Sequence, residues 1–150
     1  MVKDPLQTLR EEGDSVVILD QTRLPRETSF VALSSLGDAA HAIRSMQVRG
    51  APLIGATAAY GVALGLAGHA DDARLDRVLA ELAATRPTAV NLHWALGRMA
   101  SVLRPLAADK RRAAAWNEAR RIAAEDADAN AAIGQHGLPL IEALCMNRTE

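Results

Sequence analysis

The run Ala51–Ala67 limits what this chain can become more than any other segment. It is the most apolar stretch, interrupted by Thr57 and Tyr60, and it carries Gly55, Gly61 and Gly65. The Gly61/Gly65 spacing resembles a membrane dimer motif, yet the run is shorter than the ~20 residues of a bilayer span. The expectation is a buried core helix whose small residues let its neighbours pack closely. Aromatics make up only 3% of the chain while hydrophobic residues reach 49%. An Ala- and Leu-dominated composition of that kind favours helices over a β-rich fold. The 150 residues fit one domain.

Around this helix the pattern predicts a small β element followed by a bundle of about five helices, an α+β and mainly α fold. Residues 5–13 read as a short polar lead-in, one helical turn or a strand end. Ser15–Asp20 is rich in β-branched residues and predicts a strand. Gln21–Pro25 reads as a turn, and Arg26–Val31 as the returning strand, with Pro25 allowing a hairpin or a looser bend. From Ser35 the period becomes helical, with Leu36, Ala40, Ile43 and Met46 on one face. Ser35 and Asp38 resemble a capping pair, and this helix is expected to end near Val48. Further helices are expected over about Pro52–Ala67, Asp72–Ala84, Thr88–Leu103 and Asp109–Ile133. Gly134, Gly137 and Pro139 would close the last.

Two corners carry candidate chemistry. In the first, Arg49 precedes Gly50, and Pro52 opens the apolar helix at a position where its missing N–H costs nothing. Gly50 lets backbone N–H groups approach a ligand. The free amides and positive dipole end of a helix favour an anion, and arginine adds a charged fork suited to phosphate. The segment reads as a phosphate cradle, although an ordinary turn beside a solvated arginine has the same pattern. The second corner, Thr85–Leu92, repeats the design with Arg86 before Pro87 and Thr88 as a candidate N-cap. Arginines at two helix entrances are able to converge on one phosphate; two separately capped helices are the alternative.

Other classes receive less support. The formal net charge of −1 gives no field directed at nucleic acid or an acidic membrane. Lys110–Arg112 and Arg120–Arg121 are accompanied by Glu118, Glu125, Asp126 and Asp128, and the expectation is a solvated, ion-paired helix face. His41, His69, His93 and His136 are scattered without metal-ligand spacing. Cys145 is the single cysteine, so no internal disulfide is expected, which fits a reducing cytoplasm. It has no positioned base nearby and reads as a bland side chain. Asp126 and Asp128, two apart, point in different directions on a helix. Asn130 and Gln135 read as polar contacts at a domain boundary. Met1–Pro5 lacks the apolar stretch of a signal peptide.

Several segments match one family together and in order. They are Leu19–Pro25, Ala42–Met46, Val48–Gly55 with Ala58–Gly61, Thr85–Leu92, Glu125–Asp126 and Ile133–Gly137. The set resembles the methylthioribose-1-phosphate isomerases, which are related to the regulatory subunits of translation initiation factor two-B and to ribose-1,5-bisphosphate isomerases. The likeness runs from about Val17 to Ile141. It implies conversion of 5-methylthioribose 1-phosphate to 5-methylthioribulose 1-phosphate in methionine salvage, with no cofactor and no metal. It also implies substrate binding by Arg49, Gly50, Ala51 and Arg86. The family's catalytic cysteine lies in a Thr-His-Cys-Asn-Ala-Gly motif in a Rossmann-like C-terminal domain, with its catalytic aspartate further on. Neither motif occurs before Arg148–Glu150, and Cys145 does not match, so no residue here is assigned a catalytic role. The expectation is an N-terminal helical substrate-binding domain over residues 1–150, inactive alone and cytoplasmic. An apolar patch left exposed would make it a homodimer or a larger assembly. The alternative is a non-catalytic assembly or sugar-phosphate-sensing module.

Overall fold

The computed structural model describes residues 7–146. The readings at Met1–Pro5 and at Arg148–Glu150 fall outside them. The fold is α+β and mainly α. Strands β1 (Leu9–Glu12), β2 (Ser15–Leu19) and β3 (Phe30–Leu33) precede helices α1 (Leu36–Arg44), α2 (Ala51–Gly65), α3 (Asp72–Ala83), α4 (Val90–Leu103) and α5 (Ala108–Met146). The sheet is an antiparallel meander in the order β1-β2-β3. Val16 and Ile18 of β2 and Leu33 of β3 face the core, as a period of two requires.

Helix α2 is the hub, packed by α1, α3, α4 and α5. It is buried from Ile54 to Gly65, so it shows almost no amphipathic stripe, as expected of a helix surrounded by others. Its glycines set the distances. A Cβ built on Gly61 would lie 3.0 Å from the Ala39 Cβ and 3.1 Å from Leu82 Cδ2, and one on Gly65 would lie 2.8 Å from Val78 Cγ2. Thr57 is buried within this helix and donates its hydroxyl to the Leu53 carbonyl at 2.7 Å, so its buried hydroxyl has a partner.

The polar lead-in forms a full strand, β1. A tie across the molecule fixes it. The Tyr60 hydroxyl donates to Glu11 Oε1 at 2.7 Å, and Arg120 Nε donates to the same carboxylate at 2.9 Å. The Tyr60 ring meets Trp116 edge-on at 5.7 Å. Burial and the neighbouring carboxylate push the Tyr60 hydroxyl far above its ordinary pKa.

Several boundaries differ from the sequence reading. The returning strand begins at Phe30 rather than Arg26, because residues 20–29 form a loop anchored by Asp20. Helix α1 stops at Arg44, not near Val48. Its exit runs through Met46 at φ +63, a left-handed conformation costing a residue with a Cβ about 1 kcal/mol, and the Val48 N–H closes the end on the Ala42 carbonyl. Helix α5 continues past Gly134, Gly137 and Pro139 to Met146. Neither glycine takes the positive φ of a helix cap, and the flanking Ala, Leu, Gln and Glu residues are good helix formers. The basic face of α5 is also not wholly solvated. Arg111 is 5% exposed and donates to the carbonyls of Ala70, Leu103, Arg104 and Leu106 and to the Asp72 carboxylate. Glu118, 4% exposed, pairs with Arg98. A buried charge must be paired, and these two are.

Beyond Ala123 helix α5 leaves the core, and Ile133, Leu138, Leu140, Ile141 and Leu144 stand exposed. Among the described residues no helix is long and apolar enough to cross a membrane.

Replacing Gly65 with Ala should destabilise the fold by about 1–3 kcal/mol through overpacking. Adding Val78→Ala should return part of that loss, read as a chemical-denaturation double-mutant cycle. Strict additivity would rule out the Gly65–Val78 approach as the cause.

Candidate functional site

The first corner is held by a buried carboxylate. Asp20, 4% exposed, ends β2 and accepts from the Thr22 amide at 3.0 Å, the Thr22 hydroxyl at 2.6 Å and Gln47 Nε2 at 3.1 Å. The Gln21 amide donates to the Gln47 carbonyl at 2.9 Å. The loop between α1 and α2 is thereby fixed two residues before Arg49. Burial alone would raise the Asp20 pKa, but the bonds from Thr22 and Gln47, with Arg23 nearby, leave it below the ordinary value. Gly50 follows at φ +87, ψ +133, a backbone region open to glycine, and it is the N-cap of α2 without a side-chain bond. Ala51 is the first helical residue and Pro52 the second. The expected first position for Pro52 is therefore shifted by one, still within the turn whose amides have no intrahelical acceptor.

The second corner follows α3. The Thr85 hydroxyl donates to the Leu82 carbonyl at 2.6 Å, and the Ala89 amide donates to the Arg86 carbonyl at 3.0 Å. This turn places Pro87 and Thr88 before the helix. Thr88 is not the cap: α4 starts at Val90, its N-cap is Ala89, and no side chain caps it. His93 sits 2.9 Å from the Pro87 carbonyl through Nε2.

The two corners meet. A Cβ on Gly55, one turn into α2, would stand 3.1 Å from the Asn91 carbonyl and 3.6 Å from Ala95 Cβ. That approach lays the first turn of α4 against the first turn of α2. Between them lies a cavity of about 410 Å³ lined by Met46, Arg49, Gly50, Ala51, Ile54, Arg86, Ala89, Val90, Asn91 and Leu92. All four substrate-binding candidates, Arg49, Gly50, Ala51 and Arg86, border this one space. Among the described residues neither arginine takes part in an ion pair or side-chain hydrogen bond. Two cations, two uncapped helix starts and an apolar wall suit a small anionic ligand with an uncharged part.

Sequence reasoning did not single out Asp20 and Gln47 as supports, nor Met46, Ile54, Val90, Asn91 and Leu92 as lining. The Leu19–Thr22 motif was a usable signal for Asp20, since an acid ending an apolar strand is buried unless the strand frays. Among the described residues no group of three or more His, Cys, Asp or Glu is placed to hold a metal ion. Cys145 is exposed on the α5 tail. Asn130 bonds back to Asp126 on its own helix.

The sequence profile of the initiation factor 2 subunit family matches residues 47–145. Methylthioribose-1-phosphate isomerase of Dechloromonas aromatica is 61% identical over 138 residues, covering 91% of this chain and 38% of that protein. Among solved structures, 5-methylthioribose 1-phosphate isomerase from Pyrococcus horikoshii superposes with a TM-score of 0.82 at 35% identity, covering 89% of this chain and 40% of the other. The delta subunit of translation initiation factor eIF-2B from A. fulgidus gives 0.75 at 31%, covering 82% and 38%. The chain thus spans about two fifths of the length of each.

Replacing Asp20 with Asn should cost about 1.5–3 kcal/mol at pH 7, the range for hydrogen bonds to a charged group. With the folded pKa depressed, the carboxylate's contribution is complete above the ordinary value near ~4 and fades as pH falls through the lower folded value. Denaturation at pH 7 and pH 3 should therefore show the gap between wild type and variant narrowing in acid; a gap of constant size would remove this role for the carboxylate.

Proposed function

The chain belongs to the initiation factor 2 subunit family, and from that membership we propose that it is the N-terminal substrate-binding domain of a cytoplasmic methylthioribose-1-phosphate isomerase of methionine salvage. The observation that carries the reading is the shared cavity: Arg49 and Arg86, from corners 37 residues apart in sequence (86 minus 49), border one space beside two helix starts. Arg49 and Arg86 supply charge-assisted bonds to the phosphate. The Gly50 and Ala51 backbone supplies amides at the positive end of the α2 dipole.

In the proposed reaction the bond between C1 and the ring oxygen breaks, hydrogen moves from C2 to C1, and the C2 hydroxyl becomes a ketone as its proton is balanced by the one taken up at the released ring oxygen. The phosphate stays on C1. A clamp on that phosphate fixes the reacting carbons and disfavours its departure as a leaving group. The described residues bring no acid–base or nucleophilic pair to the cavity, so this domain binds and orients while the hydrogen transfer requires further groups. The exposed apolar face of the α5 tail is, in this reading, a surface for a second copy of the chain, because a contiguous patch of that kind favours association.

The likeness to the initiation-factor subunit supports a second reading, a non-catalytic assembly or sugar-phosphate-sensing module. Turnover separates the two: addition of the further length found in the isomerase relatives should give isomerase activity under the first reading and none under the second.

Calorimetric titration should show 5-methylthioribose 1-phosphate binding weakened about 10- to 100-fold by Arg49→Ala or Arg86→Ala, the loss of a charge-assisted contact. Affinity untouched by both changes would discard the phosphate assignment. In sedimentation at micromolar concentration the chain should be dimeric or larger, and Leu140→Asp with Leu144→Asp should shift it toward monomer. A clean wild-type monomer would end the association proposal.

A further inference from the structure

The cavity lining is rich in donors and poor in acceptors. Arg49 and Arg86 offer only N–H groups, and so do the first amides of the two helices. The carbonyls of Gly50, Arg86 and Ala89 already accept from the amides of Ile54, Ala89 and His93. Of the lining residues, Asn91 alone carries a side-chain oxygen. A phosphate needs donors only, whereas a sugar hydroxyl also has a proton to place.

The helix itself makes no use of the Asn91 carboxamide. Asn91 is the half-buried second residue of α4. An asparagine near a helix start commonly caps it, but the cap of α4 is Ala89, with no side-chain bond. Inside a helix asparagine ranks below alanine. Among the described residues its side chain makes no hydrogen bond. Its polar neighbours are engaged: the Thr85 hydroxyl donates to the Leu82 carbonyl, His93 Nε2 meets the Pro87 carbonyl, and Arg98 donates to Glu118 and Glu125. The Asn91 backbone is held against Gly55, whose added Cβ would stand 3.1 Å from the Asn91 carbonyl. Asn91 also lines a second cavity, of about 210 Å³, with Trp94, Glu125 and Asp126. The carboxylates there already accept from Arg98 and Asn130.

We propose that Asn91 is a specificity-determining residue that distinguishes a sugar phosphate from phosphate alone, its Oδ1 accepting a hydrogen bond from a sugar hydroxyl. The inference rests on the reading of the cavity as a sugar-phosphate site. It assigns the two functions of the cavity to different groups: the arginines and helix amides hold the anion, and the carboxamide reads the sugar. A site that offers a hydroxyl its partner discriminates against a ligand lacking one.

The test is calorimetric titration of the chain with 5-methylthioribose 1-phosphate and with inorganic phosphate. Asn91→Ala should weaken the sugar phosphate about 3- to 10-fold, the range of one neutral hydrogen bond, and leave inorganic phosphate within about twofold. Alanine is the better helix former and no internal bond is lost, so this variant should keep its thermal stability. Asn91→Leu, similar in volume but without an acceptor, should share the selective loss. Unchanged affinity for the sugar phosphate in both variants overturns the proposal, and so does an equal loss for both ligands, which would place the carboxamide on the phosphate. A wild type that binds both ligands equally also overturns it; if Arg49→Ala then still weakens both, the phosphate reading stands while the Asn91 role falls. Failure of wild type to bind either ligand overturns both.

Discussion

The close approach of α2 to its neighbours is the constraint on which the rest depends. A helix buried along most of its length can be surrounded by four others only where its side chains are small. Gly61 and Gly65 admit Ala39, Leu82 and Val78. Gly55 does the same at the site end, where the obstacle is the Asn91 backbone carbonyl rather than a side chain. A side chain is able to rotate aside, whereas a carbonyl in the first turn of a helix moves only with the helix. The packing of one glycine therefore sets the separation of the Arg49 and Arg86 corners, and interior packing transmits directly into site geometry.

The second constraint is electrostatic. Asp20 ends the central strand beneath the loop that leads to Arg49, and its carboxylate is satisfied by Thr22 and Gln47. A buried carboxylate with three donors is costly to displace, so it fixes a loop that must also carry Met46 in a strained conformation. The sheet thus contributes to the site without lining it: β2 delivers the acid, and the acid fixes the corner.

How far the sequence disclosed this follows from the range of each interaction. The α2 hub, the capping of α1 by Ser35 and the span of α3 are local matters of composition and period, and all were readable. The paired arginine corners were readable as a repeated pattern beside prolines. Their meeting was not, because it depends on Gly55 against Asn91, a contact across 36 residues (91 minus 55). The length of α5 was not legible because Gly134, Gly137 and Pro139 are stop signals only by propensity, and here the good helix formers around them prevail. The burial of Arg111 and Glu118 was equally hidden, because a helix-face pattern does not reveal which neighbouring carbonyls and cations arrive to satisfy them.

The distribution of unsatisfied charge gives the functional argument its direction. Among the described residues eight arginines, including Arg98, Arg111 and Arg120, are paired with carboxylates, whereas Arg26, Arg44, Arg49, Arg74, Arg77 and Arg86 are not, and of these six Arg49 and Arg86 border the cavity. The helix starts divide in the same way. Ser35 caps α1 and Asp71 caps α3 with side-chain oxygens, but α2 and α4 begin at Gly50 and Ala89 with no side-chain cap. These two uncapped starts and these two unpaired cations border the same cavity. These four features, open toward one space in a fold that caps its α1 and α3 starts from within, are the observations that support the proposed anion site.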